Sequence, residues 1–275
     1  MDATRDLWVV VDGGYTNQTV LSQLPERTVL IGRIRGDAHL SHEPDPALSK
    51  HVGRRCVYGV DAPTPRELLE DVSTPWEEHE IRVAGQTHSV KCKRVDGLRW
   101  RGAGGKQLLS MIVLAPAPYR GLGRKLRRRQ PGFLICTDVS LPTERVLQAY
   151  AWRWDVEVNF RDEKTLLGVG EAQVRNDASV EAAPAFSVAA YSLLLLAAAR
   201  CSSTSLARVE LPPPKWRRKE EHARTSLQDL VNAMRADLWA DSIRCFDGFS
   251  GLASNRPVTT KPEKHLASAA LYSVA

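Results

Sequence analysis

No stretch limits the fold more than Leu7-Trp8-Val9-Val10-Val11, five apolar residues in a row that end in Asp12 and the chain-breaking pair Gly13-Gly14. A strand with one wet face would alternate polar and apolar residues. An unbroken, β-branched run predicts a strand buried on both faces of a parallel sheet. Asn17 to Leu24 reads as a short helix, capped by Thr16 or Asn17 and stopped by Pro25. Thr28 to Arg35 reads as a second strand. Strand, helix and strand within about 30 residues make an α/β unit.

From about Gly36 to Pro131 the character changes. Gly, Pro and charged residues become frequent, and short alternating stretches such as Glu80 to Val83 and Ser89 to Lys93 predict a β-rich insertion with long loops. Gly132 to Thr137 is the next strand, ending at Asp138. One long helix is predicted from about Pro142 to Leu167, with Leu141-Pro142-Thr143-Glu144 as its start signal, and another from about Val180 to Cys201. Within the latter, Ser187 to Ala199 is the longest apolar stretch, too short to span a bilayer. It reads as a buried helix, with no membrane partner. Leu211 to Lys219 is a stiff basic linker, Thr225 to Trp239 an amphipathic helix, and the last 30 residues a loose tail. The predicted organisation is therefore a core from residues 1–35 and 132–205, an insertion at 36–131, and a linker, helix and tail at 206–275.

Apolar residues make up 43% of the 275, enough for a sizeable core, and the charged fraction of 25% excludes a disordered tail. A formal net charge of +6 favours a polyanionic partner. The five cysteines are odd in number and form no CxxC pair, which argues against a disulfide framework or a zinc site. Reduced thiols and the lack of a signal peptide point to the cytoplasm.

The segment Tyr150 to Lys164 (YAWRWDVEVNFRDEK) carries the chemistry. On a continuous helix, with Tyr150 at zero, Arg153 falls at about 300°, Glu157 at about 340° and Lys164 at about 320°. Ala149, Val156, Phe160 and Leu167 form an apolar stripe beside them. A carboxylate in this setting can help hold a divalent ion, and the flanking cations can take the phosphates around a scissile bond. An ordinary amphipathic helix with an i,i+4 Arg–Glu pair would show the same pattern.

The spacing Tyr150, Arg153, Glu157, Lys164 resembles the Tyr-Arg-Glu-Lys signature of one group of DDE transposases of bacterial insertion sequences. The surrounding text from Tyr150 to Asn176, and GFLICTDVSLPTERVLQAY before it, is similar beyond the four signature residues. WVVVDGGYTNQTVLSQLPERTVLIGRIR resembles the strand, helix and strand that carry the family's second aspartate. The resemblance covers roughly residues 5 to 200. It implies a ribonuclease H-like core, and Asp12 and Glu157 as catalytic carboxylates and ligands to Mg2+ or Mn2+ at two sites. Tyr150, Arg153 and Lys164 would position DNA phosphates, and Trp152 or Trp154 would stack on a base, core packing being the alternative for at least one of them. The implied partners are the inverted-repeat ends of an element and its target DNA, near the bacterial nucleoid.

One departure stands out. The family's first aspartate lies well upstream of its second, and only 11 residues precede Asp12. The expectation is a core lacking its first strands, inactive alone, which pairs as a homodimer or with a separate amino-terminal fragment. Arg127 and Arg128, in the basic run Arg120 to Arg129, and the run Lys215 to Lys219 are candidate DNA-backbone contacts or a solvated charged face. Two rivals remain at this point. One is a self-contained ribonuclease H-like nuclease using Asp12, Asp138 and Glu157. The other is a non-catalytic, transposase-derived DNA-binding inhibitor that needs the basic residues alone.

Overall fold

In the computed structural model the described residues are 5–45, 56–83, 85–103, 107–120, 126–201, 226–232 and 234–235. Their strands are β1 (Leu7–Val11), β2 (Thr28–Arg33), β3 (Leu40–His42), β4 (Glu77–Val83), β5 (Gln86–Trp100), β6 (Leu109–Leu114), β7 (Pro118–Arg120), β8 (Leu126–Arg128) and β9 (Gly132–Cys136). Their α-helices are α1 (Gln18–Leu21), α2 (Pro65–Glu70), α3 (Thr143–Trp152), α4 (Asp155–Leu167) and α5 (Asp177–Cys201). The chain divides into two units, Met1–Val156 and Glu157–Ala275.

The first unit is built on a seven-stranded sheet of order β1-β2-β9-β6-β5-β3, with β4 also paired to β5. Only β1 and β2 run parallel; every other named pair is antiparallel. The predicted parallel sheet is thus corrected to a mixed α/β fold with a mostly antiparallel sheet. Burial on both faces gives the same unbroken apolar signature whichever way the neighbour runs, so the sequence could not choose. The strand LWVVV itself is an edge strand, exposed at Leu7 and half-buried from Trp8 to Val11.

Both faces of the central strands are covered, and successive residues serve opposite faces. Leu30, Met111 and Ile135 join Leu21 of α1 and Leu68 of α2 in one core cluster. Ile31, Ile112 and Leu134 join Val146, Leu147 and Ala149 of α3 in the other. Burying each such leucine or isoleucine contributes roughly 1.5–3 kcal/mol. Burial holds the thiols of Cys92 on β5 and Cys136 on β9 up at about 11.

The segment 36–131 was predicted as an insertion apart from the sheet core. Its strands β5 and β6 instead lie inside the same sheet, with β6 hydrogen-bonded to β9 from Ser110↔Cys136 to Leu114↔Gly132. The register of β5 against β6 shifts between Val95 and Leu98, and Gly97, at φ 72°, supplies the left-handed backbone that such a bulge needs. Arg94, beside that bulge, reaches from the sheet to the turn that starts α3. Its guanidinium donates to the Leu141 and Val139 carbonyls at 2.7 Å each, to Thr143 and Ser110 hydroxyls at 3.1 Å, and to Asp96 at 2.6 Å.

The single predicted helix from Pro142 to Leu167 is interrupted. It stops at Trp152, passes Arg153 and Trp154 in a turn, and resumes at Asp155. The N–H groups of Arg153 and Trp154 reach back three residues, to Tyr150 and Ala151, rather than four. Two tryptophans beside this point favour the helix weakly, and the tight turn breaks the 100° periodicity assumed for the signature.

In the second unit, Tyr191, Leu227 and Val231 form a small cluster with Leu166, Leu167 and Leu194. The Tyr191 hydroxyl donates to Asn159 Oδ1 at 2.7 Å, tying α5 to α4. The predicted burial of the 180–201 helix is corrected: of the α5 residues whose burial is described, Tyr191 alone is buried. The helix is also long and apolar enough to cross a membrane by length and composition, a test that α5 passes because Asp177–Arg200 is a longer window than Ser187 to Ala199. Residues 227–232 and 234–235 are helical where a helix was expected. The linker at Leu211 to Lys219 and the last 30 residues lie outside the described residues.

Candidate functional site

Asp12 stands at the carboxyl end of β1, beside the end of β2, because Val11 pairs with Gly32 in the parallel ladder. Its carboxylate accepts the Gly13 N–H at 2.8 Å and so caps a 3-10 turn over Gly13–Tyr15. The buried Thr16 closes the turn, its hydroxyl donating to the Asp12 carbonyl at 3.3 Å. Nothing larger than glycine fits opposite. A Cβ on Gly32 would run into Thr16 Oγ1 and stand 2.9 Å from Cγ2 of Val11. Gly32→Ala is therefore expected to destabilise the protein by about 1–3 kcal/mol, read as a lower urea midpoint. Gly14→Ala, whose Cβ would meet nothing within 4 Å, is the control expected to leave the midpoint nearly unchanged.

Tyr150 comes to the neighbourhood of this turn from almost 140 positions further along the chain. α3 is seated by its buried Val146, Leu147 and Ala149. It is also fixed by Gln148, whose side-chain amide exchanges two hydrogen bonds with the backbone of Arg82 on β4, at 2.7 and 2.9 Å. Burial pushes the Tyr150 phenol up, the nearby Arg33 and Arg153 pull it back down, and the Asp12 carboxylate adds to the rise. The Arg153 guanidinium lies 5.8 Å from the centre of the Tyr150 ring. Asp12, Arg33, Tyr150 and Arg153 thus share one electrostatic neighbourhood inside the first unit.

Arg33 was not among the residues singled out from sequence. An arginine at a strand end carries no spacing signal; only the pairing of β1 with β2 puts it beside Asp12. Of the residues that were singled out, Glu157 and Lys164 lie on α4, both exposed and about 340° apart around the helix, hence on one face. They belong to the second unit. Trp152 and Trp154 are exposed, at 57% and 59%, so neither packs into a core. Val156 and Phe160 are also exposed, and α4 buries no residue, so the expected apolar stripe is not a buried face. Arg127 and Arg128 lie on β8, in a two-stranded ribbon with β7, and Arg128 is exposed.

Asp138 is placed where it cannot join Asp12. β9 runs antiparallel to β2, with Ile31 opposite Cys136, so Asp138 leaves the sheet near Val29, the partner of Trp8. Asp12 is four residues further along β1, roughly 13 Å along the strand direction at 3.3 Å per residue. The Asp138 carboxylate instead accepts the N–H and hydroxyl of Ser140, at 2.8 and 2.7 Å, as a turn residue. The rival centre of Asp12, Asp138 and Glu157 fails on this geometry.

Comparison with known families decides the broader question. The sequence profile of the family described as Transposase DDE domain matches residues 1–193. This chain belongs to that family. No curated protein matches the chain. Membership implies transposition, with nuclease and strand-transfer chemistry on DNA, and DDE transposase domains generally use divalent metal ions. A centre of two such ions needs several oxygen ligands for each. Among the described residues of this DDE transposase domain, no three His, Cys, Asp or Glu side chains converge on one point. The described donors do not by themselves fit a two-ion centre.

Proposed function

We propose that the chain is the catalytic part of a bacterial insertion-sequence transposase of the Tyr-Arg-Glu-Lys group. On this reading it has a ribonuclease H-like core and cuts and joins DNA with Mg2+ or Mn2+. Asp12 and Glu157 are the carboxylates it brings to the metal centre. Tyr150 and Arg153, with Lys164 on α4, hold phosphates of the element's end. Arg127, Arg128 and Trp154 add contacts to the flanking DNA. The observation that carries this reading is the electrostatic neighbourhood that Tyr150 and Arg153, two residues of the signature, share with Asp12 and Arg33 from almost 140 and 120 positions earlier in the chain. A carboxylate beside a phenol and two guanidiniums suits a phosphodiester held next to a cation.

Two carboxylates hold divalent ions weakly, so the chain turns over little DNA unless a further carboxylate is supplied. β1 ends the sheet order, and among the described residues its outer edge has no strand partner. Such an edge is where a strand from another polypeptide, or from a second copy, pairs.

Iron-directed cleavage tests the shared centre. Fe2+ with ascorbate in place of Mg2+ generates radicals that cut the backbone next to bound metal. The expected result is scission near both Asp12 and Glu157, suppressed by excess Mg2+. Scission near Asp12 alone removes Glu157 from the centre. No scission, with DNA binding intact in the variant lacking both carboxylates, moves the reading to a non-catalytic DNA-binding protein.

A further inference from the structure

Two kinds of force seat α3, and they fix different things. Val146, Leu147 and Ala149 are buried. Burial is not directional, so it holds the helix down without fixing its roll about its own axis. Hydrogen bonds are directional. The half-buried Gln148 makes two of them to one residue of β4: its oxygen accepts the Arg82 N–H at 2.7 Å, and its nitrogen donates to the Arg82 carbonyl at 2.9 Å.

The anchor itself is well held. Among the described residues β4 has one strand partner, β5, so the backbone groups of its other edge are open to a partner. Gln148 takes up both groups of Arg82 and stands in for a strand at that point. Arg82 lies opposite Thr87 in a ladder that runs from Glu77↔Cys92 to Val83↔Gln86, near the tip where Gly85 turns the chain at φ 79°. The same contact brings His79 Nδ1 of β4 to 3.7 Å from Glu144, in the first turn of α3. A planar amide on a paired strand therefore sets both the roll of α3 and its register along β4.

Tyr150 is two residues further on, about 200° around the helix from Gln148. It stands in the last turn before α3 stops at Trp152. A roll that pulls Gln148 away from β4 carries the phenol the opposite way, out of the cluster against which its ring is half-buried. That burial is also what most raises the Tyr150 phenol, so a change in roll is readable at the hydroxyl.

We propose that Gln148 is a positioning residue: its clamp on the Arg82 main chain sets the roll of α3 and so holds the Tyr150 phenol in the neighbourhood of Asp12, Arg33 and Arg153. That this phenol serves DNA rests on the reading above; that Gln148 places it does not.

Two measurements on the full chain test this. In the first, the tyrosines are replaced by fluorotyrosine, and the fluorine resonance of residue 150 is identified by its loss in Tyr150→Phe. Gln148→Met keeps the bulk of the side chain and loses both hydrogen bonds. In it the ionisation midpoint of residue 150 is expected to fall toward that of free fluorotyrosine, with the other tyrosines unmoved. Gln148→Glu, whose carboxylate still accepts the Arg82 N–H but has no proton for the carbonyl, is expected to lie between; it decides if Gln148→Met does not fold. An unmoved residue 150, or a fall shared by all the tyrosines, overturns the assignment. In the second, the chain is titrated in EDTA against a short fluorescein-labelled DNA duplex. Gln148→Met is expected to weaken binding about fivefold, the scale of one hydrogen bond. Added to Tyr150→Phe it is expected to cost nothing further, because both changes act through one phenol. Additive losses overturn the coupling. If the midpoint falls while neither substitution alters DNA binding, Gln148 still places Tyr150, and it is the DNA role of Tyr150 that is lost.

Discussion

Asp12→Asn is expected to raise the dissociation constant for Mn2+ at least tenfold, measured by the loss of the free-ion signal in electron paramagnetic resonance. Glu157→Gln is expected to do the same. The parent value should itself be weak, on the order of 10⁻³ M, because hard cations gain affinity with each added oxygen anion and the proposed centre has only two. A tenfold change is about 1.4 kcal/mol. The substitution at residue 12 is clean for a structural reason: asparagine caps a turn about as well as aspartate, and the other bond closing the turn uses the residue 12 carbonyl. The loss is then one of charge and not of fold. Equal Mn2+ affinity in parent and variant would remove Asp12 from the centre. The parent chain alone is expected to leave supercoiled plasmid uncut with Mg2+ or Mn2+. Nicking that vanished in Asp12→Asn would mean that this chain supplies the further ligand itself.

The second large effect is on stability. Arg94→Ala is expected to cost about 3 kcal/mol, because it strips donors from the Leu141 and Val139 carbonyls and from two hydroxyls in a partly buried network. The Arg94 side chain is only 12% exposed, so water replaces those bonds poorly. For a unit of this size the melting temperature should fall by roughly 6–12 °C. Arg94→Lys keeps the charge without the fork and should recover only part of the loss. A melting temperature within about 2 °C of the parent for Arg94→Ala would show that the network adds little to stability. The network also joins β5, far from the signature in sequence, to the turn that launches α3, and so to the helix that carries Tyr150.

What could be read from the sequence, and what could not, divides by the range of the interaction. Leu7 to Val11, Thr28 to Arg33 and Gly132 to Cys136 were legible as strands because their apolar, β-branched runs are continuous, although Leu7 to Val11 proved to be a half-buried edge strand and only the other two carry fully buried residues. The spacing of Tyr150, Arg153, Glu157 and Lys164 was legible because side-chain type and order survive whatever the backbone does between them. The break at Arg153 and Trp154 was not, since a helix ends there by exchanging one hydrogen-bond register for another, with no proline or glycine to announce it. Nor was the exposure of α5, where composition suggests burial but only Tyr191 is covered among the α5 residues with described burial.

The sequence by itself determined the local elements and the family's chemical vocabulary: a carboxylate at a strand end and a phenol, cations and a second carboxylate spaced along a helical segment. Only the tertiary structure decided that β5 and β6 lie inside the sheet, that Asp138 leaves it at the opposite end from Asp12, and that Arg33, Arg66 and Trp100 line the space beside Asp12. The reason is that strand direction and order are fixed by hydrogen bonds between segments tens to a hundred residues apart. Such pairings leave no periodicity in either partner's own sequence.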